Sequence, residues 1–253
     1  MRRELPILFS APMVRALIRE IEHPGTGKTQ TRRVISSARV FATPERPAWT
    51  LRGDDLVRAL QNADRFRRMD GDGWFWEADA FQWQAPATRT GWLAHIGYAP
   101  GDCLYVREAW RTHDRLDHFA PSDLPEFTDV FYEADIGGEL EAATGKFRQG
   151  MHMPRWASRI TLTVTDVRVQ RLQEISEADA IVEGCFKGKA SGRVFANAMS
   201  MHLGGDEWAN ARDWYADLWD SLNAKRGYGW DANPWVVAIT FTPIFGNIDQ
   251  VRA

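Results

Sequence analysis

The sequence predicts an α+β protein: a small mixed β-barrel with short helices at its rim and one large insertion. Three observations carry this expectation. The stretch SRITLTVTDVRVQRL, Ser158 to Leu172, alternates β-branched and polar residues over the span of one long strand. PWVVAITFTPI near the C-terminus reads as a second strand. Helical spacing of apolar residues occurs in short blocks, and few strand–helix–strand units of the kind that build parallel sheets can be traced.

Taken in order, ILF at Ile7 to Phe9 is a short buried strand. Met13, Val14, Leu17, Ile18 and Ile21 then repeat at helical spacing, with Ser10 at the cap and Pro12 in the first turn, where proline is tolerated. His23, Pro24 and Gly25 end that helix, and TQTRRVI, Thr29 to Ile35, leaves a tight turn as a strand. From Ser36 to Ala99 the composition changes to mixed prolines, arginines and acids. Leu56, Leu60 and Ala63 suggest a helix there, and the aromatics of Trp74 to Gln84 alternate about Ala78-Asp79 as in a β-hairpin. Residues 36–99 are therefore read as an insertion into a main domain formed by 1–35 and 100–253. PGDCLYVREAW is a turn entering a strand, and FYEAD, Phe131 to Asp135, is another strand candidate. In ISEADAIVEG, Ser176 and Asp179 form a capping-box pattern, with Ile175 and Ala180 at the staple positions. That predicts a short helix from Glu177 to about Glu183, closed by Gly184. Trp208, Ala211, Tyr215, Leu218 and Leu222 mark a longer amphipathic helix that ends near Gly227.

Composition bounds the function. The chain has 253 residues, 44% hydrophobic and 26% charged, with net charge -3, the profile of a soluble protein with a true core. The bulk charge does not announce nucleic acid, so binding of that kind needs a local patch. Arg65, Arg67 and Arg68 form such a cluster, with a solvated face as the plainer explanation. Cys103 and Cys185 form no CxxC pair, which fits a reducing cytosol and gives no zinc motif. No apolar run approaches the roughly 18 residues of a membrane span, and MRRELPILFSAP is too short for a signal-peptide core. A cytoplasmic location without a membrane partner is expected. Most of the twelve tryptophans are read as core or hairpin residues, with one or two available as base-stacking platforms.

HPGTGKTQTRR, His23 to Arg33, contains GTGKT, the ending of a phosphate-binding loop. The first glycine of that motif falls on Glu22, and the segment follows a helix and opens a strand, the reverse of the required context. A nucleotide-hydrolysing role is therefore not expected. Strand alternation places Thr29, Thr31 and Arg33 on one face and Gln30 and Arg32 on the other, with Lys28 at the turn. A lysine beside a threonine hydroxyl can activate a nucleophile or hold an oxyanion in a partly desolvated site.

GKTQTRR resembles the G-x-K-x-x-T-x-R signature of ASCH domains, relatives of the PUA domains of RNA-modifying proteins, although Gly27 directly precedes Lys28 and Gly25 lies two further back. PGDCLYVRE and ISEADAIVEG are similar to the family's GD-x-L-x-V strand and its short acidic helix. PILFSAPMVRAL, KTQTRRV, HMPRWASRITLTVTDVRVQRL and LWDSLNAKRGYGWDANPWV resemble a group of ASCH-related proteins encoded by tailed phages and prophages. The resemblance implies a PUA-like β-barrel with a cleft beside the first helix. It also implies a modified nucleobase, nucleoside or nucleic acid as ligand, RNA ahead of DNA. No cofactor or metal is expected. Some ASCH proteins cut the acetyl group from N(4)-acetylcytidine with a lysine, a threonine and a glutamate, which fall here on Lys28, Thr31 and Glu183. In amide hydrolysis Thr31 either attacks or positions water, Lys28 acts as base or holds the oxyanion, and Glu183 shuttles the proton. Equally, Glu183 can be a solvated helix-end residue, and Lys28 and Arg33 simple phosphate contacts.

Three further groups complete the candidates. HDRLDH, His113 to His118, matches no standard zinc spacing and reads as a solvated loop. Glu108 alternates with Val106 and Trp110 and points inward, with Arg33 or Arg107 as its expected partner. KRGYGWDANPW offers Lys225, Tyr228 and Trp230 either as packing at the barrel end or as a lid that stacks a base. The sequence thus carries three functional readings: an amidohydrolase on an N(4)-acylated cytosine nucleoside or related base, a non-catalytic binder of modified RNA or DNA, and a phage structural or assembly factor, located in the host cytoplasm if phage-encoded.

Overall fold

In a computed structural model, the described residues are 3–35, 40–42, 65–68, 73–78, 90–95, 97–136, 144–188, 191–196, 201–202 and 204–251. They form an α+β protein. The strands are β1 (Glu4–Leu8), β2 (Gln30–Val34), β3 (Val40–Ala42), β4 (Arg65–Arg68), β5 (Gly73–Ala78), β6 (Thr90–His95), β7 (Cys103–Arg107), β8 (Trp110–Arg111), β9 (Phe131–Tyr132), β10 (Ile160–Arg171), β11 (Phe186–Lys187), β12 (Val194–Phe195), β13 (Glu207–Trp208) and β14 (Trp235–Phe245). The principal helices are α1 (Ala11–Glu22), α2 (Glu177–Val182) and α3 (Ala211–Asn223).

The central sheet has five strands in the order β1-β7-β10-β14-β2. The long alternating stretch supplies its middle: β10 pairs antiparallel with β14 from Ile160↔Phe245 to Arg171↔Trp235, with a register shift between Val164 and Asp166. Such a shift increases local twist and bends the pair. β1 joins β7 in parallel, and β2 joins β14 antiparallel. Among the described residues the sheet stays open, with β1 and β2 as its edges, and does not close into the expected barrel. The two edges nevertheless approach each other at one point, because Arg33 Nη2 on β2 donates to the Leu8 carbonyl of β1 at 2.8 Å.

Each face of this sheet holds a core. Ile7, Phe9, Val14, Leu17, Val237, Ile239 and Phe241 pack on one side under α1. Leu172, Ile175, Ala180, Tyr215, Trp219 and Val236 pack on the other, under α2 and α3. The β2 alternation divides accordingly: Thr31 pairs across from Ile239 of the first core, and Val34 from Val236 of the second.

Within residues 36–99, the described strands form a separate four-stranded sheet in the order β3-β6-β5-β4. The expected hairpin differs from what forms. β5 pairs with β4 and β6, and the segment after Ala78, like the helix proposed at Leu56, Leu60 and Ala63, lies outside the described residues. FYEAD supplies only the two residues of β9 and then turns. Ser10 stands at the α1 N-cap without a side-chain bond. Among the described residues no helix is long and apolar enough to cross a membrane.

Candidate active site

The turn between α1 and β2 explains the GTGKT sequence. Glu20 turns its carboxylate back to accept from Gly25 N at 2.9 Å and Gly27 N at 2.8 Å. Lys28 N donates to the Ala16 carbonyl, and Thr29 N to that of Val182. The amides that would cradle a phosphate are thus occupied by the protein itself, which removes the nucleotide reading on physical grounds. Gly27 is required by contact: a Cβ there would sit 2.3 Å from Ala16 O and 2.4 Å from Glu20 N. Gly184, at φ +115°, plays the matching part after α2, where a Cβ would lie 2.9 Å from the Ala16 methyl and 3.3 Å from Lys28 Cβ. Arg19 fastens the two turns together by donating to Thr26 O, Gly184 O and Cys185 O.

This close packing drives Lys28 inside. It is 1% exposed, and its Nζ donates to both the carbonyl and Oε2 of Glu183, each at 2.7 Å. The other carboxylate oxygen, Oε1, accepts from Arg32 Nη1 at 2.8 Å. Glu183 itself is 2% exposed and caps the C-terminus of α2, so it is not the solvated helix-end residue that its position allowed. Burial lowers the Lys28 pKa, opposed by the Glu183 charge and hydrogen bond and reinforced by the charges of Arg33 and Arg32.

Thr31 is 2% exposed and belongs to the other face of β2. Its hydroxyl accepts from Arg33 Nη1 at 3.1 Å. The ring of Phe9 connects the two halves: the Lys28 ammonium lies 5.7 Å and the Arg33 guanidinium 5.2 Å from its centroid. The structure therefore joins Lys28 to Glu183 directly, and Thr31 to that pair through Arg33 and Phe9. Tyr215, fully enclosed, has its pKa raised well above 10.0 by burial and then by the Glu183 charge.

The remaining candidates lie elsewhere. Glu108, 1% exposed, pairs with Arg159 rather than with Arg33 or Arg107: Nε meets Oε1 at 3.0 Å and Nη2 meets Oε2 at 3.1 Å. Arg107 instead donates to Met153 O. Arg159 also binds Asp135 and stacks over the Tyr132 ring. Burial raises the Glu108 pKa against the pull of Arg159, and pushes Tyr132 up to about 12. Trp230 is held at the end of α3, its backbone N–H donating to Asp220 Oδ1 and Arg212 lying over its ring, and it packs on the second core. Tyr228 bonds Asn223 and Trp219, and Lys225 is exposed. Tyr228 and Trp230 are half-buried, and none of the described contacts of this loop reaches Lys28, Thr31 or Glu183. His113 faces Asp129 and Phe131, and among the described residues no group of three or more His, Cys, Asp or Glu is placed to hold a metal.

Two participants escaped the sequence reading. Arg32 was assigned only to a strand face, and Asp179 only to a capping box. Ser176 does accept from Asp179 N at 3.0 Å, but the Asp179 carboxylate serves Arg168 and Gln30 instead of returning to the cap. An arginine at the alternate position to Thr31 was the one available signal.

Comparison with protein families, with characterised proteins and with solved structures finds no match to this chain.

Proposed function

We propose that the protein is an ASCH-type amidohydrolase on a PUA-like frame, acting on an N(4)-acylated cytosine nucleoside or a related modified base through Lys28, Thr31 and Glu183. The observation that carries this reading is the enclosed Lys28–Glu183 pair, built between residues 155 positions apart. A buried ion pair is weak support for stability, because apolar replacements of like volume often serve as well or better. A lysine with a lowered pKa beside a carboxylate is, by contrast, a pattern of sites that move protons. The curled sheet, with Arg33 spanning its two edges, agrees with a barrel-like frame.

In this reading the Thr31 oxygen, or a water that it orients, adds to the acyl carbon. Neutral Lys28 accepts the proton released and passes it through Glu183 to the leaving amine as the C–N bond breaks; where Thr31 itself attacked, water then hydrolyses the acyl-threonine ester and frees the acid. Arg33, already on the Thr31 oxygen, supplies positive charge next to the developing oxyanion. No cofactor takes part. The substrate is a modified nucleoside, free or within RNA ahead of DNA.

One observation favours the second reading, a non-catalytic binder of modified bases: both oxygens of Glu183 and the Thr31 hydroxyl are already engaged by protein groups. The two separate in one experiment. The full chain is incubated with N(4)-acetylcytidine and other N(4)-acylated cytosines, and cytidine or cytosine release is followed by chromatography. Release supports the hydrolase; saturable binding without release replaces it with the binder. Neither binding nor release removes both.

A further inference from the structure

We propose that Arg32 is a positioning residue for the Lys28–Glu183 pair, held in turn by Asp179, so that alternating charges run from Arg168 through Asp179, Arg32 and Glu183 to the buried ammonium. The purpose of that pair rests on the hydrolase reading; the ladder itself rests on the geometry.

The Arg32 side chain is 0% exposed. Its Nη1 divides between Glu183 Oε1 at 2.8 Å and Gln30 Oε1 at 2.6 Å. Nη2 lies 3.2 Å from Asp179 Oδ2, near enough for an ion pair but without the angle of a hydrogen bond, and Nε has no described partner. Asp179 Oδ1 accepts from Arg168 Nη2 at 3.0 Å, and Arg168 is 43% exposed. Burial raises the Asp179 pKa, but Arg168, Arg32 and Gln30 outweigh it and leave the carboxyl below its usual range.

Strand register makes this arrangement possible. Arg168 on β10 and Arg32 on β2 both stand opposite Ala238 of β14, in one row across the sheet. Partners in a row share a face, and the residue between the two guanidinium groups has only a methyl group. Ala238 is wholly buried, so the short side chain lets one carboxylate from α2 approach both arginines. The Tyr215 ring, 5.8 Å from the Arg32 guanidinium, closes the side toward α3.

The consequence is directional. With Oε1 on Arg32, Glu183 presents Oε2 to Lys28, and its charge is shared between two cations. The groups that bear on the Lys28 ammonium are Glu183 from α2, Arg32 and Arg33 from β2, and the Phe9 ring beside β1, with Asp179, Arg168 and the Tyr215 phenol one step further out. Removing Arg32 deletes a like charge and leaves Glu183 to Lys28 alone, so Lys28 becomes harder to deprotonate. Removing the Asp179 charge leaves Arg32 to Glu183 and has the opposite effect.

The test is the titration of Lys28 in the folded full chain, followed by NMR of its side-chain Cε–Nζ group and assigned by comparison with Lys28→Met. In Arg32→Gln the midpoint should rise by about one pH unit or more, the scale set by a neighbouring charge. In Asp179→Asn it should fall, and Arg32→Lys should stay near the parent. Unchanged midpoints in Arg32→Gln and Asp179→Asn overturn the proposal. Should Arg32→Gln not fold, Asp179→Asn decides, since that side chain is 19% exposed. Hydrolysis of N(4)-acetylcytidine by the same samples separates the two ideas. Midpoint shifts without parent turnover sink the hydrolase and keep the ladder, whereas turnover without shifts sinks the ladder alone.

Discussion

Glu183 and Glu108 are equally hidden, at 2% and 1% exposure, yet their partners differ in kind. Glu108 takes both hydrogen bonds from one arginine, Arg159, which is 20% exposed and passes its remaining charge to Asp135, itself 50% exposed. That is a fastener with one end in water, and an arginine never yields its proton. Around Glu183 the cations are enclosed, and one is a lysine whose pKa burial lowers. The difference lies in what each pair can exchange: the Glu108 pair can only hold, while the Glu183 pair can hold or pass a proton. The fold also constrains the second site more tightly, with two glycines and the Glu20 carboxylate fixing the turns that deliver it.

The comparison can be broken by removing each carboxylate. Glu183→Ala leaves Lys28 and Arg32 buried without their common anion, and should cost about 3–5 kcal/mol in denaturant unfolding. Glu108→Gln should cost less, about 1.5–3 kcal/mol, since Arg159 keeps Asp135 and reaches solvent. A larger loss at Glu108 than at Glu183 would reverse the assignment of roles. The same variant carries a pH signature. Because burial raises the folded pKa of Glu108 above 4.5, the native state binds its proton more readily than the unfolded chain. Its contribution is full below about pH 4.5 and is lost as pH rises through the raised value. Glu108→Gln should flatten that decline in unfolding measurements from acid to neutral pH.

Smaller changes sharpen the contrast by acting on delivery. Gly27→Ala drives a methyl into the α1 backbone and should destabilise by about 1–3 kcal/mol, read as a lower denaturation midpoint. Ser176→Ala removes the α2 cap and should cost about 1 kcal/mol, while loosening Glu183 more than Glu108. Amide exchange at Gly184 and Cys185 against Trp110 would show whether the loosening is local.

The strands at Ile160–Arg171 and Trp235–Phe245 and the helices at 11–22 and 211–223 were legible because periodicity is a local property that the sheet and cores did not override. Lys28 was legible as a candidate from its place beside the threonines, but its pairing with Glu183 only through resemblance, since no spacing rule links residues so far apart. Arg32 was not legible as a site residue, because alternation gives it a face but does not reveal that α2 will cover that face. The Glu108 partner was misassigned for the same reason: Arg159 arrives from a non-regular segment 51 residues away. The course of the Lys225 to Trp235 loop was not legible either. Asn233 in the left-handed region and the Asp220 contact turn Trp230 back onto its own helix end.

The central claim is that Lys28 is buried for chemistry and not for packing. Its most direct test is Lys28→Met, which keeps an unbranched side chain of similar length while Arg32 still holds Glu183. Confirmed as folded by its unfolding transition, this variant should release no cytidine from N(4)-acetylcytidine under conditions where the parent does. Cytidine release at the parent rate would contradict the account.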